Sequence, residues 1–271
     1  MNSKKIVSKI FFASALVLIA CGFSYQTDNY PIKNTSFKKG EKLTYRLHYG
    51  LLTGGYPVLL VGDKNYAFDG KICHRIEVSG SSTGAVRKLF TIDDVWRSYV
   101  DTATMLPKYA FRNIKEGDYT LKEDTYLNRG KGYIKVDKEK RSGKSTQNYT
   151  ASEGIHDIVS GFFYFRNVDW GKKAVNDKVT IKSFFEDKTY TITVVYKGKF
   201  DIKTDFGKIT CYKLQPEVPE NDLFKGDDSI VFYLSADQNK IPIKIKAEMF
   251  VGSVEMDIHQ YENLKHTIKF K

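Results

Sequence analysis

Cysteine is scarce in this sequence: only Cys21, Cys73 and Cys211 occur in 271 residues. No pair has the short spacing of zinc ligands, and no histidine lies four residues from another, so no metal site is predicted. Cys73 and Cys211 lie on separate predicted strands, and spacing alone does not decide between a disulfide and two free thiols. Two free thiols are the favoured alternative. Cys73 alternates with Arg75 and Glu77, so it is expected to face outward.

Motifs of the common catalytic sites are missing as well. There is no HExxH sequence, and no GxSxG elbow surrounds Ser160 or Ser235. His156 and Asp157 are neighbours, but adjacent helical residues do not face each other, and Asp157 suits a helix N-terminus. A glycosidase needs two converging carboxylates, and segment 116–118 contains two acids without further support for that role. We therefore predict no catalytic residue, no cofactor and no enzymatic activity.

Long apolar runs are confined to the start of the chain. A basic beginning followed by the apolar residues 10–20, too few to span a membrane, predicts a signal peptide over residues 1–20. The run ends in the sequence LIAC, which resembles the lipobox of bacterial lipoproteins, whose cysteine becomes the acylated N-terminus. Cys21 is therefore the predicted lipid-attachment site. The alternative is ordinary cleavage nearby, which would leave a soluble periplasmic protein.

The segment after Cys21 is polar, and residues 21–36 are predicted to be a tether. It lacks the acidic cluster of some surface-exported lipoproteins, which favours an outer-membrane lipoprotein that faces the periplasm. No second apolar run follows, so the predicted membrane contact is the lipid anchor. Residues 37–271 show no repeat, linker or composition shift, which predicts one domain; a two-lobed division would fall at Thr150.

Acidic residues are outnumbered by basic ones, 32 against 43, which gives a formal charge of +11. Removing the leader with its three lysines leaves 40 basic and 32 acidic residues, a net charge of +8. The lysines are spread over the polar faces of predicted strands, and Asp137 and Glu139 interrupt the densest run, residues 129–144. This distribution is typical of a solvated surface. Together with the export signal, it predicts no nucleic-acid partner.

Most of the chain alternates between apolar and polar residues, the pattern of half-buried strands. Aromatics make up 14%, with 18 Tyr and 18 Phe but only two Trp, which suits pleated surfaces. Asp69-Gly70 predicts a tight hairpin turn. A break rich in Gly and Ser at residues 79–84 precedes a strand predicted at 89–101. About sixteen short strands predict a mainly β chain, a large antiparallel sheet curled into a barrel or open β-spiral.

One stretch, residues 150–167, predicts an amphipathic helix. Five apolar residues form a stripe at helical spacing: Ile155, Ile158, Val159, Phe162 and Phe163. Thr150 and Glu153 have capping-box spacing, and Arg166 in the last turn suits the helix dipole. We expect this helix to pack against the sheet or into the mouth of the barrel. Its aromatic residues would either complete the core or line a hydrophobic groove suited to an acyl chain.

Several motifs in a fixed order resemble those of domain-of-unknown-function family 3108, exported proteins of Bacteroidota and other Gram-negative bacteria. The matching stretches are Phe37-x-x-Gly40-Glu41-x-Leu43-x-Tyr45, Asp94, Ser98, Asp101 and Pro107 within 91–119, the helix 157–166, Gly207-x-x-x-Cys211, and Ser235-x-Asp237 before Ile241-Pro242. The resemblance spans nearly the whole chain after the leader. It implies an envelope protein with a β-barrel-like fold and implies no established activity.

The predicted function is that of a non-enzymatic, membrane-anchored binding protein, which holds a lipid, a lipoprotein or another apolar ligand in a concave sheet. That hypothesis requires a dry cavity, on the order of a few hundred Å³, between the helix and the sheet. Two alternatives stay open. One is a structural or interaction protein of an envelope assembly with a solid core. The other, less favoured, is an enzyme that acts on envelope glycans or lipids.

Overall fold

The computed structural model describes residues 32–217, 229–248 and 252–271. The predicted signal peptide, Cys21 and the first part of the predicted tether lie outside these ranges. Sixteen strands and two α-helices occur in the described residues, and all the strands belong to one sheet. The prediction of a mainly β fold with a large antiparallel sheet is confirmed.

The sheet follows the chain as a long meander of short strands. The strands are β1 (Lys42–Tyr49), β2 (Leu52–Gly55), β3 (Val58–Phe68), β4 (Lys71–Ser81), β5 (Asp93–Asp101), β6 (Pro107–Glu116), β7 (Tyr119–Asn128), β8 (Tyr133–Lys140), β9 (Gly143–Thr150), β10 (Ile155–His156), β11 (Lys178–Phe185), β12 (Lys188–Thr204), β13 (Gly207–Pro216), β14 (Ile230–Ser235), β15 (Pro242–Glu248) and β16 (Ser253–Glu262). The helices are α1 (Gly84–Leu89) and α2 (Ile158–Asn167).

Strand order explains how the two halves of the chain join. The order is β10-β11-β12-β13-β14-β15-β16-β1-β3-β4-β5-β6-β7-β8-β9, with β2 paired to β1. Strand β16 therefore pairs with β1 and unites the halves. All neighbours are antiparallel except β10 and β11. In the described part of the chain, β9 and β10 are the edges of a sheet that does not close by hydrogen bonding, although Tyr149 of β9 contacts Phe184 of β11 at 5.2 Å between ring centres.

Antiparallel connections place alternate turns at opposite ends of the curled sheet. One end, which we call the mouth end, holds the turn at residues 50–51, the α1 segment and the turns at 117–118 and 252. The other end, the closed end, holds the turns at 69–70, 102–106 and 236–241. Helix α2 lies inside the curve of the sheet, and its last turn reaches the closed end.

Helix α2 begins at residue 158, later than the predicted start at Thr150. The predicted capping pair, Thr150 and Glu153, is wrong: Thr150 ends β9, and segment 155–156 forms β10. Instead, Asp157 is the N-cap. Its Oδ1 accepts from the backbone amides of Val159 and Ser160 at 2.8 and 3.0 Å, while the Ser160 hydroxyl accepts from the Asp157 amide at 3.0 Å. Asp157 at the helix start was expected; its partner Ser160 was not.

Removing the N-cap side chain tests this account of the helix start. We expect Asp157→Ala to lower the free energy of unfolding by about 1–2 kcal/mol, because two amides of the first turn lose their acceptor. Asp157→Asn should retain most of the stability, since an amide oxygen caps about as well as a carboxylate. Urea unfolding of the three proteins measures the difference. An Asp157→Asn variant as unstable as Asp157→Ala would contradict the cap as the source of the loss.

The segment that contains α1 differs from the prediction of a break followed by a strand. Strand β4 continues through the predicted break to Ser81, and β5 begins at Asp93, four residues after the predicted start at Leu89. Between them, α1 ends on the Phe90 amide, which donates to the Val86 carbonyl at 2.8 Å. Val86 is the buried residue of this short helix, which is too short for a sequence period to reveal.

The two cysteines in the described residues, Cys73 and Cys211, are free and buried, in agreement with the favoured alternative of two unpaired thiols. The expectation that Cys73 is solvent-facing is wrong. It is fully buried beside Asp101 and Lys108, because the 102–106 turn closes over this end of β4. Burial raises the pKa of Cys73 to about 11 and that of Cys211 to about 12, so both thiols are inert at neutral pH.

Candidate ligand-binding cavity

A cavity of about 160 Å³ lies between the N-terminal half of α2 and the concave face of the sheet. Its lining comes from α2 and from seven strands, mostly near the mouth end, together with the β2–β3 link and the residue before β5. The lining residues are Tyr45, Leu47, Pro57, Val58, Leu59, Val78, Ser79, Gly80, Ile92, Asp94, Trp96, Ile158, Val159, Phe162, Phe163, Phe232, Pro242, Ile245 and Met256. The cavity is partly open to solvent, and its partly exposed lining residues include Pro57 and Gly80.

Aromatic rings form much of the wall, which keeps the cavity apolar. Phe162 of α2 contacts Phe232 of β14 at 5.9 Å between ring centres, so the helix is joined to the sheet across the cavity. Trp96 packs on Phe185 at 5.8 Å, nearly parallel. Ile158 and Phe162 are only partly buried. These residues belong to the predicted apolar stripe, and the structure places them on the cavity.

The cavity has the predicted position but a smaller volume than predicted. Ligand sites usually measure about 300–1,000 Å³, whereas an apolar cavity of about 150 Å³ is sufficient for a benzene-sized molecule. A cavity of 160 Å³ therefore encloses a segment of hydrocarbon and not a whole lipid. Because it is open on one side, a longer ligand could extend from it.

Asp94 is the carboxylic acid in this lining. Its Oδ1 accepts from the Lys115 amide at 3.0 Å, and its carboxyl shares a hydrogen bond with Glu116. Burial raises the pKa of Asp94 to about 6. The two carboxyls are in direct hydrogen-bond contact, closer than the roughly 5–9.5 Å that separates the acids of a glycosidase. Asp94 therefore adds one carboxyl to an apolar lining, and its pairing with the buried Glu116 does not have glycosidase geometry.

A buried ion pair closes the opposite end of the interior. Arg166 donates to both oxygens of Glu41, at 2.7 and 3.2 Å, and to the Asn239 carbonyl at 3.0 Å. Both charged side chains have no solvent exposure. The guanidinium also lies 4.9 Å from the ring centre of Phe163 and 5.6 Å from that of Phe37. The sequence pattern assigned Arg166 to the helix dipole, and its pairing with Glu41, the residue just before β1, was not predicted.

The end of the predicted tether is part of this closure. The Thr35 amide donates to the Asn167 side chain at 2.8 Å, and the Ser36 hydroxyl donates to the Arg166 carbonyl at 2.5 Å. Ser36 and Phe37 are buried. These contacts satisfy polar groups at the C-terminus of α2, which would otherwise lack partners inside the fold.

A second, much smaller cavity of about 30 Å³ lies behind Trp96 and is lined by Arg112, Glu123 and Asp157 among others. Arg112 donates to both oxygens of Glu123, at 2.9 and 2.8 Å, and its guanidinium lies 4.9 Å from the Trp96 ring centre. This volume accommodates a single water-sized group. Arg112 thus completes the wall behind Trp96 and is shielded from the main cavity.

The neighbouring residues His156 and Asp157 are buried, and their side chains contact other residues of the fold. His156 Nδ1 lies 3.1 Å from the Ser160 hydroxyl, and Asp157 Oδ2 accepts from the Ser98 hydroxyl at 2.5 Å. Burial lowers the pKa of His156 to about 3, and burial raises the pKa of Asp157. Neither side chain is exposed enough to meet a substrate. These contacts agree with the prediction that the two residues belong to the helix start and do not form an acid–base pair.

One group in the described chain has the geometry of metal ligands. Ligand atoms of His48, Glu255 and Asp257 lie within 4.8 Å of one another on the outer face. His48 Nε2 lies 2.7 Å from Asp257, and the Lys244 ammonium contacts Glu255 and Asp257 at 2.7 and 3.0 Å. The two carboxylates already have cationic partners, so the group forms a charge-paired network as it stands.

These features define a barrel-like β-protein that is closed at one end by a helix and an ion pair and has an apolar cavity toward the other. The chain belongs to the family described as protein of unknown function (DUF3108), whose model matches residues 44–259. This match confirms the family resemblance. No curated protein matches the sequence significantly. In the described ranges, none of the helices has the length and hydropathy needed to cross a membrane.

Three solved structures are similar to this chain, and the first of them supports the fold. A β-barrel-like protein of domain of unknown function DUF1849 from Brucella abortus is 11% identical, with a TM-score of 0.52 over 84% of this chain and 99% of that one. A candidate exported protein with a YmcC-like fold from Bacteroides fragilis is 8% identical, with a TM-score of 0.38 over 85% and 99%. A candidate lipoprotein from Parabacteroides distasonis is 9% identical, with a TM-score of 0.29 over 85% and 100%. The first similarity establishes the barrel-like fold.

Proposed function

We propose that this protein is a non-enzymatic binding protein of the cell envelope, anchored through a lipid on Cys21 and facing the periplasm. It holds an apolar chain, from a lipid or a lipoprotein, in the cavity between α2 and the sheet. The observation that carries the proposal is the partly open apolar cavity itself. A tightly packed interior is the norm, so an apolar cavity of this size needs a reason.

The volume and the opening together limit the class of ligand. A volume of 160 Å³ holds a segment of hydrocarbon, so the remainder of a longer ligand extends through the opening. Asp94 lines the cavity and is partly exposed, and burial raises its pKa to about 6. Above that pH its carboxylate would repel the carboxylate of a free fatty acid. The site therefore favours acyl chains in ester or amide linkage, as in phospholipids and lipoproteins.

Filling the cavity with a side chain tests the proposal. Val78 lines the cavity, whereas Val95 faces away from it on the adjacent strand β5, next to Trp96 in sequence. We expect Val78→Phe to weaken binding of the apolar fluorescent probe N-phenyl-1-naphthylamine by about tenfold or more, a loss of about 1.4 kcal/mol or more. The matched control Val95→Phe should bind like the wild-type protein. Phospholipid should displace the probe from wild-type protein.

The same experiment can refute the proposal. Probe affinity that is unchanged in Val78→Phe would show that the cavity is not the binding site, provided that urea unfolding shows a folded variant. Equal losses in both variants would point to a general effect of overpacking, which typically costs about 1–3 kcal/mol. Either result would remove the basis for a ligand in this cavity.

The interaction alternative has one observation in its favour, the unpaired edge of β9. Seven of the eight residues in segment 143–150 are exposed, and an exposed edge can accept a strand from another protein. Its composition is polar, which opposes indiscriminate pairing. A photo-crosslinking residue at Thr146 would give one discrete adduct in cells if this edge has a dedicated partner. The absence of an adduct would leave the ligand-binding function as the better supported one.

A further inference from the structure

The most exposed leucines of the described chain gather at the mouth end. Leu51 is 105% exposed, Leu89 is 76% exposed and Leu52 is 48% exposed. Tyr49 and Tyr56 on the neighbouring backbone are also exposed. Single exposed apolar residues are normal on a protein surface, but a group at one end of the molecule is a feature of interaction sites.

The fold holds these leucines close to the cavity. Leu51 lies at the tip of the β1–β2 turn, where Gly50 has a φ of +54°. Strand β2 is joined to the start of α1, because the Thr83 amide donates to the Gly54 carbonyl at 2.9 Å. The cavity residues Pro57 and Gly80 belong to the same chain segments. The exposed leucines therefore lie at the same end of the sheet as these two lining residues.

A cation lies beside the exposed leucine on α1. Arg87 and Lys88 immediately precede Leu89 on α1, and Lys88 is exposed. Arg87 is paired with Asp93 at 2.9 Å, which leaves Lys88 as the cation beside the leucine. After removal of the leader the whole chain has a net charge of +8. Exposed leucines beside a lysine on a basic protein are the composition that binds the boundary between headgroups and acyl chains.

We propose that the mouth end docks on the surface of an anionic lipid bilayer. Leu51, Leu52 and Leu89 enter the boundary between headgroups and acyl chains, and the Lys88 ammonium lies among the phosphates. Docking would bring the cavity opening to the membrane, so that an acyl chain passes between bilayer and cavity without crossing water. The purpose of docking rests on the proposed function, whereas the contact itself rests on the exposed residues.

Depth-dependent quenching on the full chain tests the docking. The lipid anchor is common to all the variants, so a difference in quenching between labelled positions does not come from the anchor. The variants L51C, L89C and I72C each carry the fluorophore NBD, and the proteins are reconstituted in vesicles of phosphatidylethanolamine and phosphatidylglycerol with doxyl-labelled lipid. Ile72 is 56% exposed and is the second residue of β4, at the closed end, so it is the matched control. The two other thiols in the described chain, Cys73 and Cys211, are buried and should not react.

We expect the doxyl lipid to quench NBD in L51C and L89C about twofold or more above I72C, as for a contact about 5–10 Å deep. Equal quenching at the three positions would overturn the proposal. A blue shift of NBD emission that grows with protein density, without doxyl quenching, would instead indicate contact with a second copy of the chain. A blue shift that requires added envelope proteins would indicate a protein partner. Either result would also overturn the proposal. Adding Val78→Phe should leave the quenching of L51C unchanged, so a failure of ligand binding is distinguishable from a failure of docking.

Discussion

Arg166→Met is expected to lower the free energy of unfolding by about 3–5 kcal/mol, because it leaves the Glu41 carboxylate buried without its cation. Both side chains have no solvent exposure. Among the described residues, the two side-chain hydrogen bonds to the Glu41 carboxylate both come from Arg166. The pair also joins the last turn of α2 to the start of β1. Loss of this contact should loosen the closed end of the fold and not only the pair.

Two further variants make this prediction specific. The double variant Glu41→Gln/Arg166→Met should recover part of the loss, since removing both charges leaves no uncompensated ion. Lys42→Ala is the surface control: the Lys42–Glu262 pair is 42% and 55% exposed and should contribute less than about 1 kcal/mol. Urea unfolding at neutral pH measures all three. A loss in Arg166→Met no larger than in Lys42→Ala would contradict the structural role of the pair.

The second large effect is a loss of stability in acid that originates at His156. Burial, with a smaller contribution from Arg129, lowers the pKa of this imidazole from 6.5 to about 3 in the folded protein. Between these pH values the unfolded chain binds a proton at His156 that the folded protein does not. Unfolding is therefore favoured as the pH falls from about 6.5 toward 3, by up to about 5 kcal/mol.

Two acids oppose this effect, so the measurement compares variants. Burial raises the folded pKa values of Asp94 and Asp157, so their contributions to stability increase as the pH falls. His156→Gln removes the imidazole and leaves both acids in place. We expect the stability gap between wild type and His156→Gln to narrow or reverse as the pH falls from 7 toward 4. A gap independent of pH would show that His156 titrates normally in the folded protein.

The sequence predicts the sheet well because each strand has its own local pattern. Leu43, Tyr45 and Leu47 are buried in alternation as expected. Local pattern misleads where a tertiary contact competes with it. At residues 150–156 the spacing of Thr150 and Glu153 suggests a helix, but Ile155 and His156 pair with β11. The same limit applies to Cys73. Apolar and polar residues alternate regularly around it, but its side chain is buried by the 102–106 turn, which is distant in that local pattern.

The candidate site depends on contacts that sequence patterns do not contain. Glu41 and Arg166 are separated by 125 residues, and each has a satisfactory local explanation as a strand-start residue and a helix-end cation. Asp94 appears among the family motifs, but its place at the cavity edge follows from packing. Trp170 is fully buried, whereas Trp96 is buried and also lines the cavity, a difference that the sequence pattern does not show. The apolar stripe of α2 predicted the position of the cavity, while its volume is set by how closely the helix approaches the sheet.

Native mass spectrometry of the full protein, purified gently from its own envelope, tests the central claim most directly. The account predicts a protein mass increased by acyl groups on Cys21, together with a second, non-covalent mass in the lipid range that disappears after organic extraction. Val78→Phe, purified in the same way, should lack the non-covalent mass and retain the acyl groups. A wild-type protein without any non-covalent mass, which also fails to acquire one from phospholipid vesicles, would contradict the account.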